Sequence, residues 1–412
     1  MARIIDPDNP SSWSLAFTIV ELLRVHISLT VSPMSLLRIS ARHLLLLLAV
    51  TSCGDTKRER GKSTAGREQR SVIAAADAVL PLSRDTLEPA IVTDKLPGDS
   101  DDPAIWVSRT ADEPSVVLGT DKGDSTGGVY TFDLAGHVVP ARSVTPLMRM
   151  NNVDVEYGFR AGRNLMDIAV ATERNRNALR VFSMPDMRPI DGGGIIVFDG
   201  DEKRAPMGIA LYRRPRDGQV FAFVGGKTGP LTGYIAQYRL TFANGRVTGT
   251  KVREFGAYSG RKEIESIAVD DALGYVYYAD EGVGVRKYQA DPDSSSRELA
   301  LFATRGVRED HEGLAIYARD STSGYLVLSD QGAGRIQIFP REGSGGNAHA
   351  HPLLAAIPVR ARETDGLDVT ARAVSAAFPR GMLAMMSNRG RFHFYRWDDV
   401  QARIDAVLAA RP

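Results

Sequence analysis

Residues 309–317 read EDHEGLAIY, and Glu309, Asp310, His311 and Glu312 crowd negative charge against a glycine and a short alternating apolar run. A lone acidic cluster of this kind is ordinarily a solvated loop. This one has relatives: SDDPAIWV at 100–107, NNVDVEYG at 151–158, APMGIALY at 205–212, EIESIAVD at 263–270 and ETDGLDVT at 363–370. Each sets a polar or small residue, often an acid, directly before an alternating apolar strand. With Asp102, Asn152, Met207, Glu265, Glu312 and Asp365 as equivalents, the intervals are 50, 55, 58, 47 and 53 residues. If the repeats converge, Asp101, Asp102, Glu265, Asp310, Glu312 and Asp365 share one place, where carboxylates repel one another unless cations offset them. Oxygen donors without cysteine or paired histidines suit hard ions, and the loose coordination of calcium fits them best. His311 is expected beside such ions or in solvent rather than as a ligand.

A second series keeps the same step. GTDKGDSTGGVYTFD, ATERNRNALRVFS, VGGKTGPLTGYIAQYR, YADEGVGVRKYQ, LSDQGAGRIQIFP and MSNRGRFHFYRW each end an apolar strand in a polar pair, turn on Gly or Asn, and return on a strand ending in an aromatic. The second members of the pairs are Lys122, Arg174, Lys227, Glu281, Gln331 and Arg389, at intervals of 52, 53, 54, 50 and 58 residues. Four cations, Lys122, Arg174, Lys227 and Arg389, beside a calcium site make a receptor for a dense polyanion. A molecule carrying several phosphates is the simplest, since arginine grips phosphate with a planar fork and lysine as a point charge.

The elements that must hold these residues are short strands between Gly, Asp and Asn turns, with no long amphipathic helix before the C-terminus. A unit of about 50 residues repeated six times fits the blade of a β-propeller. The expected fold is therefore all-β, a six-bladed propeller around a channel whose one mouth collects both series. EPAIVTD at 88–94 is expected to add a strand to the last blade and close the ring, leaving no free sheet edge. The tail WDDVQARIDAVLAARP spaces Val400, Ile404, Val407 and Leu408 as one face of a short packed helix.

The motifs DSDDPAIWV, GTDKGDSTGGVYTFDLAGH, NNVDVEYGF, GIALYRRPRDGQVFAFVGGKTG, EIESIAVDDALGYVYYADE, REDHEGLAIY and TDGLDV resemble, over residues 88–398 and in the same order, the β-propeller phytases, calcium-dependent alkaline enzymes of bacteria. The resemblance implies hydrolysis of myo-inositol hexakisphosphate (phytate) by a metal-activated water, releasing inorganic phosphate at the channel mouth. It implies several calcium ions, with Asp101, Glu265, Glu281, Asp310, Glu312 and Asp365 as ligands of the catalytic cluster and Asp102 on a structural ion nearby; Asp280 is an alternative to Glu281. Lys122, Arg174 and Lys227 would clasp phosphate and, with Glu265 and Asp310, form the catalytic set, while Gln331 and Arg389 complete the substrate-binding positions. Three departures bear on this. Met207 stands where the family usually has a tyrosine, Thr228 where an acid commonly follows the lysine, and Ser266 where a glycine follows the acid.

Composition narrows the remaining classes. In 412 residues, 51 basic and 50 acidic side chains nearly cancel, so nothing points to nucleic acid. The single cysteine, Cys53, excludes an intramolecular disulfide and a cysteine-based zinc site. It ends MSLLRISARHLLLLLAVTSC, residues 34–53, whose basic start and short apolar run read as a secretory signal with a lipobox, Cys53 being the lipidated residue. Residues 1–33 then form an upstream extension, 54–86 a flexible tether and 87–412 the propeller. The expected product is an exported monomer, either secreted or an outer-membrane lipoprotein facing the periplasm and touching the membrane only through its anchor. Two other readings stay open on the residues: a calcium propeller hydrolase of lactonase or phosphotriesterase type, and a non-catalytic periplasmic module that binds anions.

Overall fold

A computed structural model describes residues 80–411. The 34–53 export signal, the lipidation site Cys53 and most of the 54–86 tether lie outside the described residues. Six antiparallel sheets succeed one another. Blade one holds Ser100–Trp106, Val116–Asp121 and Gly128–Phe132; blade two Met150–Ala161, Asn164–Glu173 and Ala178–Met184. Blade three holds Pro206–Arg213, Val220–Gly226, Thr232–Ala243 and Arg246–Ala257; blade four Ile267–Asp270, Tyr275–Asp280, Gly284–Gln289 and Ala300–Phe302. Blade five holds His311–Ala318, Gly324–Asp330, Arg335–Pro340 and Ala355–Pro358, and blade six Leu367–Thr370, Met382–Ser387 and Arg391–Arg396. The first strand of each blade neighbours the first strands of the blades before and after it, blade six meeting blade one, so the six line a closed ring. Ile91–Val92 pairs antiparallel with Arg391–Arg396 and seals that ring, as the 88–94 segment leads one to expect.

The core is six layers, one between each pair of neighbouring blades. Ala104 and Trp106 pack toward blade two, whereas Ile105 and Val107 pack toward blade six. Ile209 and Leu211 face blade two while Ala210 and Tyr212 face blade four. The strand period of two thus sorts side chains between two apolar interfaces rather than between core and water. That is why runs such as VFAFV at 220–224 are continuously apolar and fully buried. Each Val or Phe of that run withdrawn from water contributes roughly 1.5–3 kcal/mol. The helix Trp397–Ala409 buries Trp397, Val400, Ile404 and Val407 over the layer between blades five and six, with the Trp397 ring stacked on Tyr317 at 3.7 Å between centroids. Leu408, counted on that face from its spacing, is 37% exposed.

Polar groups lock the layers together. Asp368 accepts from the Ile105 amide at 2.7 Å, linking blade six to one, and Asp154 accepts from the Leu211 amide at 2.7 Å, linking two to three. Between blades four and five, Arg341 grips both oxygens of Asp270 at 2.6 and 2.7 Å, with both side chains fully buried. Inner strands also crowd where glycine follows the first-series residue. A Cβ on Gly366 would lie 2.1 Å from Asp102 Oδ1, and one on Gly208 2.1 Å from the Glu265 carbonyl oxygen. The glycines of DGL and MGI are there because the next blade's strand leaves no room for a side chain.

Residues 80–86, assigned to the tether from composition, are already attached. Ser83 donates to the Ala356 carbonyl and the Ala356 amide to that of Pro81, both at 2.8 Å, and Leu87 donates to Pro358 at 2.7 Å. The segment lies along the outer strand of blade five, satisfying backbone groups that would otherwise form an open edge.

The Arg341–Asp270 pair yields a stability prediction. Arg341→Met leaves a buried carboxylate without its partner and should destabilise the protein by roughly 3–5 kcal/mol. Urea unfolding followed by circular dichroism measures it; a midpoint equal to the parent's would show that the pair does not hold these blades.

Candidate metal and phosphate site

Both series meet at one mouth of the channel. The first opens on a bulge: register shifts fall between Ser100 and Pro103, Met150 and Val153, Pro206 and Ile209, and His311 and Leu314. A bulge puts two consecutive side chains where one would stand and re-aims them, so Asp101 and Asp102 part company. Asp101 turns to the mouth, where Lys122 donates to its Oδ1 at 2.7 Å and Asn151 to its Oδ2 at 2.9 Å. Asp102 turns into the channel, accepts from the Val153 amide at 3.1 Å, and lines a cavity of about 140 Å³ with Asn152, Asp154 and Asp368.

The second series separates its pair by role. In blades one, two, four and five the first member is a buried acid that ties down a loop. Asp121 accepts from the amides of Gly98, Asp99 and Gly123, Glu173 from that of Met148, Asp280 from that of Ser259 and Asp330 from that of Arg308. In blades one to five the second member faces the mouth. Asp280, weighed as an alternative to Glu281, is occupied by Ser259 and Arg286. Glu281 is buried with its Oε1 unpartnered.

The mouth is therefore a connected network. Lys122 bridges Asp101 and Asp365, at 2.7 and 2.6 Å, and Gln331 donates to Asp365 at 2.7 Å. Asn151 joins Asp101 to Glu265, at 2.9 and 3.2 Å. Lys227 pairs with Glu263 at 2.7 Å and Lys262 pairs with Asp310. Arg174 lies against the Met207 sulfur and feels the charges of Glu265 and Asp101. His311 is buried with Nε2 on the Ala303 carbonyl at 2.8 Å, and burial lowers its pKa. Arg389 stands apart, exposed in a left-handed turn of blade six and without a hydrogen bond to these acids. Asn151, Lys262 and Glu263 escaped the sequence reading. Asn152, not its identical neighbour Asn151, holds the aligned position, and Lys262 and Glu263 precede the strand outside either register.

Burial and then charge crowding raise four of the acids here. Burial, then Asp101 and Asp365, pushes Glu265 well above the carboxylate range, and burial, then Glu265 and Glu281, does the same to Glu312. Burial with Glu263 and Asp310 raises Glu281 to about 8; burial with Asp101 raises Asp365 to about 7. Burial works against the Lys122 ammonium, but Asp101, Asp365 and Glu265 outweigh it and hold its pKa above the usual lysine value. Two carboxylate triads, Glu263–Glu265–Glu281 and Glu281–Asp310–Glu312, each bring oxygens within 4.8 Å of one another. Glu281 Oε1 and Glu312 Oε2 are buried without any hydrogen-bond partner. Unpaired buried carboxylate oxygens are costly, and a hard divalent cation satisfies several at once. The donor set fits such an ion.

Comparison with known proteins agrees with this geometry. The family model described as Phytase matches residues 70–390. A 3-phytase of Bacillus subtilis (strain 168) is 29% identical over 297 residues, covering 69% of this chain and 73% of that protein. Among solved structures, one described as "Structure of U3-55K" aligns over 71% of this chain and 80% of its own at 10% identity, TM-score 0.41. Another, "Crystal structure of RRP9 WD40 repeats", covers 71% and 79% at 11% identity, TM-score 0.42. These two likenesses are too distant to carry any argument.

The raised acids set the sign of a pH effect in the metal-free protein. Glu281 binds its proton up to about pH 8 when folded but releases it near its ordinary value of 4.5 when unfolded. Its contribution to stability is thus full below about 4.5 and lost as pH rises through 8. Calcium, which replaces the proton, should raise the melting temperature more at pH 8 than at pH 5. In metal-depleted protein, Glu281→Gln should gain on the parent at pH 8 relative to pH 5. Thermal unfolding at both values, with and without calcium, checks each sign.

Proposed function

The chain belongs to the phytase family, and from that premise we propose a calcium-dependent phosphomonoesterase that releases phosphate from phytate or a related polyphosphorylated molecule at the channel mouth. The observation that carries this reading is the mixture found there: buried carboxylate oxygens lacking partners, in a network shared with Lys122, Arg174 and Lys227. A lactonase-like site would have no need of so many cations, and an anion-binding module no need of the acids.

Asp101, Glu265, Glu281, Asp310, Glu312 and Asp365 would hold calcium ions, and Asp102 a separate ion deeper in the channel. When bound, calcium offsets phosphate charge and lowers the pKa of a coordinated water, supplying the nucleophile. The net reaction forms one bond from water oxygen to phosphorus and breaks the ester P–O bond, the leaving alkoxide taking up a proton. Lys122, Arg174 and Lys227 would hold the non-bridging oxygens and offset the charge that grows on them, an effect strengthened where water is scarce. The acids that grip Lys122 are those that would turn to metal, which leaves its ammonium for phosphate. Gln331 reaches the same edge through Asp365, and the exposed Arg389 would serve an outlying phosphate of the substrate. The 34–53 signal supports an exported enzyme, secreted or anchored through Cys53 to the outer membrane.

Phosphate release from phytate, measured with calcium and after chelation, tests the proposal. Turnover should vanish on chelation and return with added calcium. Lys227→Ala should lower kcat by about 100-fold, the scale for losing one preorganised donor to a developing anion, and Glu312→Gln should raise the calcium needed for half-maximal rate. Undiminished turnover in chelator would overturn it.

A further inference from the structure

Among the described residues, blade three brings no carboxylate into either triad at the mouth. Its inner strand, Pro206–Arg213, carries Met207 at the first-series position, and Thr228 turns its hydroxyl onto the Lys203 carbonyl at 2.7 Å. The acid facing this sector comes from Glu263, on the segment leading into blade four. Its carboxylate lies in the triad with Glu265 and Glu281, and its Oε2 accepts from Lys227 Nζ at 2.7 Å. Three carboxylates on their own would be an ordinary acidic cluster. Here Glu281, a member of the triad, is 4% exposed and its buried Oε1 has no hydrogen-bond partner. Lys227 answers one oxygen of Glu263 from the solvent side, at 50% exposure, and leaves that buried atom unsatisfied.

We propose that Glu263 is a ligand of a divalent cation held with Glu265 and Glu281, and that the same carboxylate positions Lys227 beside that cation. This rests on the calcium-phosphatase reading and gives the sector of blade three, which lacks an acid, its missing donor from the next blade. Glu263 thereby places the lysine ammonium and the cation on one substrate phosphoryl group, with neither diffusing to it separately.

Calcium binding to the full chain, followed by isothermal titration calorimetry without substrate, is the test. Glu263→Gln keeps the side-chain shape and should weaken one class of calcium site by at least about tenfold, with Glu263→Asp recovering part of that loss. Glu309→Gln removes the same charge from an exposed position outside both triads and should leave the isotherm unchanged. In turnover, Glu263→Gln should raise the calcium requirement and KM for phytate together. A Glu263→Gln isotherm superimposable on the parent's overturns the proposal while leaving the phosphatase reading intact, and so does equal weakening in Glu309→Gln. If the parent binds calcium and Glu263→Gln loses a site, but neither releases phosphate, Glu263 stands as a ligand and the phosphatase reading falls.

Discussion

Carboxylates drawn into a shared buried space repel one another, and every other feature of the mouth answers that fact. Glu265 and Glu312 sit among like charges with little water to screen them, so each must bind a proton, a lysine or a metal. In the metal-free protein lysines do part of this work: Lys122 between Asp101 and Asp365, Lys262 on Asp310, Lys227 on Glu263. The same ammonium groups are suited to phosphate. On the proposed function one set of cations would serve two anionic partners, and metal binding would decide which partner it meets.

Holding such a set needs a scaffold that does not yield. The six apolar layers fix each inner strand between two neighbours, and Asp368, Asp154 and the Arg341–Asp270 pair tie those strands across the seams. The bulges then turn Asp101 up to the mouth and Asp102 down the channel. Rigidity and aim come from different parts of the blade, and the strained charge sits where both are strongest.

Much of this was legible in the chain. The six-fold recurrence of both series places the acids at or just before the start of the inner strands and the cations on later turns, and a period near 50 sets the architecture. Lys122, Gln331 and Asp365 join the same network because the register that relates them is physical, one blade to the next. What stayed hidden depended on contacts without a periodic signature. Glu263 and Lys262 precede a strand, and only the closeness of blade four to blade three, for Glu263, and to blade five, for Lys262, brings them in. Asn151 competes with an identical neighbour, and which amide meets Asp101 depends on the bulge. Asp121, Glu173, Asp280 and Asp330 read as half of a polar pair until their backbone partners are seen. Residues 80–86 have a tether's composition, yet their backbone docks because blade five offers an open edge.

The pairing of Ile91–Val92 with Arg391–Arg396 has a temporal side. A chain made from its N-terminus holds Asp101 and Lys122 long before Asp365, the other anchor of that lysine, has emerged. Domains assemble as units while synthesis runs at about 5–20 residues per second, and here the first and last stretches must zip into one sheet before the circle exists. The network around Lys122 would thereby close only as translation ends, and a product truncated before the sixth wedge would keep both carboxylate triads but lose Asp365.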